Sequence, residues 1–136
     1  MMRIGLLGCG NIGHIIAQHG GGFTITAVYD LVFDRAKDIA EISGAHPYAD
    51  FESFITADID IVVEAASVSA VKSYAARVLS HTKDLVIMSV GALSDTVFQD
   101  EIRELAKKAG QKIHIPSGAI FGLDNLKIGR ISEITR

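Results

Sequence analysis

The sequence predicts an α/β fold built on a doubly wound parallel sheet, and three observations carry that prediction. Short, wholly apolar runs alternate with amphipathic stretches of helical period along the chain. The first apolar run, Arg3 to Leu7, leads straight into Gly8-Cys9-Gly10-Asn11-Ile12-Gly13. A second run, Thr24 to Tyr29, closes on an acid, Asp30. Continuous apolar runs suit parallel strands covered by helices on both faces. Hydrophobic residues make up 49% of the 136-residue chain, enough for one domain with a buried core. A mean hydropathy of +0.31 also fits an exposed patch meant for another domain.

Each element follows from its residues. Asn11 is a good N-cap for a first helix whose apolar side is Ile12, Ile15, Ile16 and His19, ended by Gly20-Gly21-Gly22. A second helix is predicted over Phe33 to Ile42, with Gly44 beyond its end. Ala45 to Tyr48 reads as a short third strand and Ile59 to Ala65 as a buried fourth. Ser67 then caps a helix that lines one face with Val71, Tyr74, Ala75, Val78 and Leu79. Leu85 to Ser89 is the fifth strand. Ser94 caps a longer helix with Val97, Phe98, Ile102, Leu105 and Ala109 inward. Lys107 and Lys108 suit the negative end of that helix, and Gly110 stops it. Lys112 to Ile115 is the sixth strand, ending at Pro116. Six strands with helical crossovers imply the order 3-2-1-4-5-6.

Residues 1–116 thus read as one domain. Composition shifts after Pro116, where Ser117-Gly118-Ala119 is small and loop-like. Residues 117–136 complete no further layer and read as a hinge and the opening of a truncated α+β domain.

Composition also excludes. A net charge of −3 gives no basic footprint for nucleic acid. No apolar stretch approaches the length of a membrane span. The single cysteine rules out an internal disulfide and suits a reducing cytoplasm. Leu6-Leu7-Gly8 ahead of Cys9 resembles a lipoprotein signal, but the apolar stretch is too short, and a small residue in a tight turn explains Cys9 better. None of the five histidines has metal-ligand spacing; His114 lies nearest the expected cleft.

The glycine turn carries the chemistry. Placed after a strand and before a helix, Gly8 permits the tight turn, Gly10 lets a pyrophosphate approach the backbone, and Gly13 lets helix and strand pack closely. The helix start, Asn11 and Ile12 included, offers unpaired N–H groups to the phosphates. Asp30 stands where a carboxylate accepts from an adenosine ribose, which favours NAD over NADP. Leu31 follows it, where an NADP enzyme often has arginine, yet Arg35 is close enough to reach a phosphate, so NADP stays open. These are the features of a Rossmann, NAD(P)-binding domain. Ligands of such sheets bind beyond the carboxyl ends of the strands, so Ala66, Ser67, Ser89 and Gly91 join the cofactor-binding set. Ser67 reads equally as a helix cap, and Ser89 and Gly91 equally as plain turn residues. Glu64 ends a buried strand there and is read as a hydrogen-bonding brace for a neighbouring loop.

At Val62-Val63-Glu64-Ala65-Ala66-Ser67, and above all at Ile115-Pro116-Ser117-Gly118-Ala119-Ile120-Phe121-Gly122-Leu123-Asp124, the chain resembles the L-aspartate dehydrogenase family. The resemblance implies NAD(P)-dependent oxidative deamination of L-aspartate to iminoaspartate and oxaloacetate, or supply of iminoaspartate to NAD biosynthesis. It also implies that Ala119 lies against the cofactor near the nicotinamide. Members of that family are nearly twice as long, with an amino-acid substrate pocket and a catalytic histidine in a second domain. By that comparison Gly118 onward is the hinge, Ile131 to Arg136 the first strand of the second domain, and no catalytic residue precedes Arg136. The exposed tail suits association into a homo-oligomer. Two other readings stand beside this one. One is another two-domain dehydrogenase, such as a homoserine dehydrogenase relative, which should lack the Pro116–Asp124 string. The other is a non-catalytic NAD-sensing module.

Overall fold

A computed structural model describes residues 2–19 and 21–116, together with the backbone of 131–133. The elements run β1 (Met2–Leu7), α1 (Asn11–His19), β2 (Phe23–Tyr29), α2 (Phe33–Ser43), β3 (His46–Tyr48), α3 (Phe51–Ile55), β4 (Ile61–Glu64), α4 (Val68–Ser80) and β5 (Asp84–Ile87). A 3-10 turn at Val90–Ser94, α5 (Thr96–Ala109), β6 (Ile113–Pro116) and β7 (Ile131–Glu133) follow. The sheet order is β3-β2-β1-β4-β5-β6-β7. Pairings from β3 through β6 are parallel, so the predicted order of six strands is the observed one.

Apolar runs become strands because both faces of the sheet are covered. Along β4 and β5, Val62, Leu85 and Ile87 face a cluster with Phe54, Val71, Val78 and Ile102 from α3, α4 and α5. Val63 and Val86 face the opposite cluster, with Ile16 of α1 and Ile39 of α2. The chain crosses from edge strand β3 to central β4, next to β1, and this reversal makes the switch point where such sheets bind ligands.

Several details differ from expectation. α3 is an additional helix: the Asp50 carboxylate accepts from Ser53 N–H at 2.8 Å, and Phe51, Phe54 and Ile55 are buried. The first helix is capped by Gly10, whose carbonyl accepts from His14 N–H at 3.0 Å; Asn11 is already helical. His19 is exposed, at the last position of α1, while Gly13 and Ile16 are the buried residues of that helix. Asp95, and not Ser94, caps α5, accepting from Phe98 N–H at 3.1 Å. Ser94 instead closes the 3-10 turn by donating to Gly91 O at 2.8 Å. Val97 points outward, 66% exposed, and the buried residues of α5 are Ile102 and Ala106. Lys72 pairs with Asp95 at 2.9 Å, ties α4 to α5, and holds that carboxyl below its usual range.

Ile131–Glu133 is a strand, as expected, but it joins this same sheet, antiparallel to β6 with Ile115 opposite Ser132. It satisfies what would otherwise be an open edge of backbone donors and acceptors. The expected hinge at Gly118 and the Ala119 contact lie outside the described residues.

Candidate functional site

The site is assembled from the carboxyl ends of β1, β2 and β4. Gly8 leaves β1 with φ +103°, and its N–H donates to Tyr29 O at 2.9 Å, locking the turn to β2. A Cβ on Gly8 would lie 2.6 Å from the Cβ of Ala66, so turn and strand end touch only because Gly8 has no side chain. Gly13 is close-packed too, since a Cβ there would come within 2.6 Å of Gly8 O. Gly10 is the opposite case: an added Cβ would meet nothing within 4 Å and would project into open space.

That open space lies at the start of α1. His14 Nδ1–H donates to Gly10 O at 2.9 Å, fixing the tautomer and buttressing the cap. Among the described residues, nothing accepts from the N–H groups of Gly10, Asn11, Ile12 or Gly13. Unpaired donors at the positive end of a helix dipole, next to a vacant Cβ position, fit a diphosphate.

Asp30 is held from two sides. Its Oδ2 accepts from Cys9 N–H and its Oδ1 from Val32 N–H, both at 2.8 Å. A carboxylate has about four acceptor positions, so two remain for ligand hydroxyls. Asp30 borders a cavity of about 380 Å³ together with Gly8, Leu31, Val32 and Arg35. The opposite wall is Ala66, Ser67, Ser69, Ala70, Ser73 and Tyr74. The volume suits the adenosine end of a dinucleotide. Tyr29 and Tyr74 also line it, with their hydroxyls 3.3 Å apart. Burial and the Tyr74 partner push the Tyr29 phenol up to about 12.

Of the expected site residues, Gly8, Asp30, Ala66 and Ser67 therefore share one cavity. Gly10, Asn11, Ile12 and Gly13 lie outside its lining, at the adjoining helix start. Ser67 caps α4, its Oγ accepting from Ala70 N–H at 3.0 Å, so cap and cavity wall coincide. Ser89 is turned inward, its hydroxyl donating to Glu64 Oε2 at 2.6 Å. Gly91 sits in the 3-10 turn against Val68, where a Cβ would come 3.3 Å from Cγ2. Neither lines the cavity. Ser69, Ser73 and Tyr74 are cavity residues that the sequence reading did not assign; with Ala70, whose i+3 and i+4 neighbours are Ser73 and Tyr74, they form one face of α4, and that spacing was the available signal.

Glu64 is 1% exposed and acts as the expected brace. It accepts from Met88 N–H at 3.0 Å, Ser89 N–H at 2.8 Å and Ala66 N–H at 2.9 Å, besides the Ser89 hydroxyl. His114 is not nearest the cleft. Its Nε2 lies 3.5 Å from Asp84 Oδ2, at the start of β5 and so at the opposite end of the sheet. Among the described residues, no three His, Cys, Asp or Glu side chains gather as metal ligands, and no helix is long and apolar enough to cross a membrane.

Cys9 is buried beneath the turn, with Sγ 3.7 Å from Tyr29 O. Burial, with the nearby Asp30 charge adding to it, pushes the thiol from 9.0 up to about 12. The unfolded chain releases this proton first, so the thiol's contribution to stability is full below pH 9.0 and declines as pH rises towards 12. A thiol-reactive dye is expected to spare Cys9 in the native protein near neutral pH and to label it fully in denaturant. Labelling at the denatured rate without denaturant would contradict this burial.

Comparison with known proteins agrees with the geometry. The chain is 58% identical to the L-aspartate dehydrogenase of Methanospirillum hungatei over 98% of its own length and 53% of that protein. It is 45% identical to the L-aspartate dehydrogenase of Methanocaldococcus jannaschii, over 98% of this chain and 52% of the relative. The chain thus spans about half the length of the curated relatives it matches. Among solved structures, the 3-ketoreductase KijD10 from Actinomadura kijaniata, in complex with NADP, superposes with a TM-score of 0.73 at 20% identity, covering 84% of this chain and 36% of that one. The WlbA dehydrogenase from Bordetella pertussis, in complex with NADH, gives 0.72 at 20% identity, covering 84% and 34%. At that identity the two structures support the fold alone. A family model described as "Homoserine dehydrogenase, NAD binding domain" matches residues 5–116, and the chain belongs to that family of NAD-binding domains.

Proposed function

We propose that this chain binds NAD, in preference to NADP, as the cofactor-holding part of an enzyme that oxidatively deaminates L-aspartate to iminoaspartate and then oxaloacetate. The observation that carries the substrate assignment is the extent of identity with the L-aspartate dehydrogenases named above. A bound nicotinamide would supply the acceptor for a hydride from the substrate Cα. The residues of this chain orient it. The free N–H groups of Gly10 to Gly13 would hold the diphosphate, and Asp30 would accept from the adenosine ribose, with Ala66 and Ser67 bordering the sugar. Ser89, whose N–H and hydroxyl both donate to Glu64, and Gly91, whose carbonyl accepts from Ser94, shape the neighbouring turn, and Ala119, by resemblance, lies near the nicotinamide. Arg35 shares the cavity with Asp30 and supports weaker binding of NADP. The lone buried thiol suits a reducing cytoplasm.

Calorimetry with NAD and NADP, followed by an assay of L-aspartate-dependent NADH formation, tests the reading. The chain alone is expected to bind NAD more tightly than NADP and to form no NADH. Fusion to the remaining part of such a dehydrogenase should confer turnover of L-aspartate. Failure to bind either dinucleotide would overturn the cofactor assignment, and oxidation of homoserine instead would overturn the substrate.

A further inference from the structure

Among the described residues, Glu64 is the one charged side chain in the core, and it has no cationic partner within ion-pair distance. A buried carboxylate without a counter-ion is costly, and it is tolerated here because four donors converge on it. They are the N–H groups of Ala66, Met88 and Ser89 and the Ser89 hydroxyl. These donors soften the charge without cancelling it, since dipoles carry no net charge.

Its place gives that charge a use. Glu64 ends β4, beside the switch point, under the turns that follow β4 and β5. With the adenosine end held at Asp30 beyond β2, a dinucleotide laid across the switch point puts its nicotinamide end over β4 and β5. The oxidised ring is a cation and the reduced ring is neutral. A fixed negative charge in a low-dielectric wall therefore attracts one form and is indifferent to the other. We infer that the Glu64 carboxylate sets the site's preference for the oxidised over the reduced dinucleotide, in addition to bracing the two turns. This inference rests on the NAD-binding reading above, and its measure is the ratio of dissociation constants for NADH and NAD+.

The test is calorimetry or fluorescence titration of both forms with the wild-type chain, Glu64→Gln and Ser89→Ala. Glu64→Gln keeps the shape and removes the charge, so the NADH-to-NAD+ ratio is expected to fall about threefold to tenfold, mainly through weaker NAD+ binding. Ser89→Ala removes one donor and leaves the charge less neutralised, so the ratio is expected to rise, by about twofold. A brace without electrostatic influence would change both affinities in proportion and leave both ratios at the wild-type value, which overturns the inference. If Glu64→Gln fails to fold, Ser89→Ala decides alone: a rise supports the inference, and an unchanged or lower ratio overturns it. A wild-type chain that binds neither form overturns the cofactor reading itself, a result distinct from unchanged ratios.

Discussion

Asp30→Ala is expected to weaken NAD binding by about tenfold to a hundredfold, because hydrogen bonds to a charged group contribute roughly 1.5–3 kcal/mol. The loss has two sources in this structure. The ribose loses its acceptor, and the Cys9 and Val32 N–H groups lose the carboxylate that positions the turn and the loop around the cavity. NADP is expected to suffer less. A 2′-phosphate meets like charge at Asp30, and removing it leaves Arg35 as the nearest charge in that wall. The gap between the two cofactors should therefore narrow. Calorimetry with both dinucleotides checks this, with a melting curve to separate loss of fold from loss of contact. Unchanged NAD affinity in a folded variant would remove Asp30 from the site.

Gly8→Ala should be the most damaging single-methyl change near the site. Its Cβ would sit 2.6 Å from Ala66 Cβ and 2.7 Å from the Ala65 and Ala66 backbone, at a φ of +103° that an L side chain rarely adopts. No flexible group can yield, so the turn or the end of β4 must move. A loss of about 3 kcal/mol is expected, combining backbone strain with overpacking. Gly10→Ala is the matched control. Its Cβ would meet no protein atom within 4 Å, so stability should change by less than about 1 kcal/mol. Yet that methyl occupies the space assigned to the diphosphate, and NAD affinity should fall steeply. Urea midpoints and NAD titrations of both variants separate the two roles. If Gly10→Ala bound NAD as the wild type does, the phosphates would have to lie elsewhere.

The parts legible in the sequence were those set by local rules. Strand order followed from apolar runs and right-handed crossovers, and the glycine turn announced its own conformation at Gly8. The dual place of Ser67, cap and cavity wall, was also readable from its position between strand and helix. What escaped depended on contacts distant in sequence. α3 has five residues, too few for a helical period; Phe54 is buried because its ring lies against Gly5 of β1, where a Cβ would come 3.0 Å from Cζ. Ser89 read as a possible ligand contact because nothing local reveals that Glu64, on another strand, takes its hydroxyl. The start of α5 slipped by one residue because Ser94 and Asp95 are both good caps, and the Lys72 ion pair helps to hold Asp95 in that place. The wall formed by Ser69, Ser73 and Tyr74 needed the contact of Tyr74 on α4 with Tyr29 on β2 to become visible.

Asp30 is already fastened at both oxygens before any ligand arrives. Its side-chain freedom is surrendered during folding and not at encounter, so the sugar docks onto a preorganised acceptor. A glutamate there, one methylene longer, keeps the charge but displaces both fastenings, which makes this corner sensitive to reach as well as to sign.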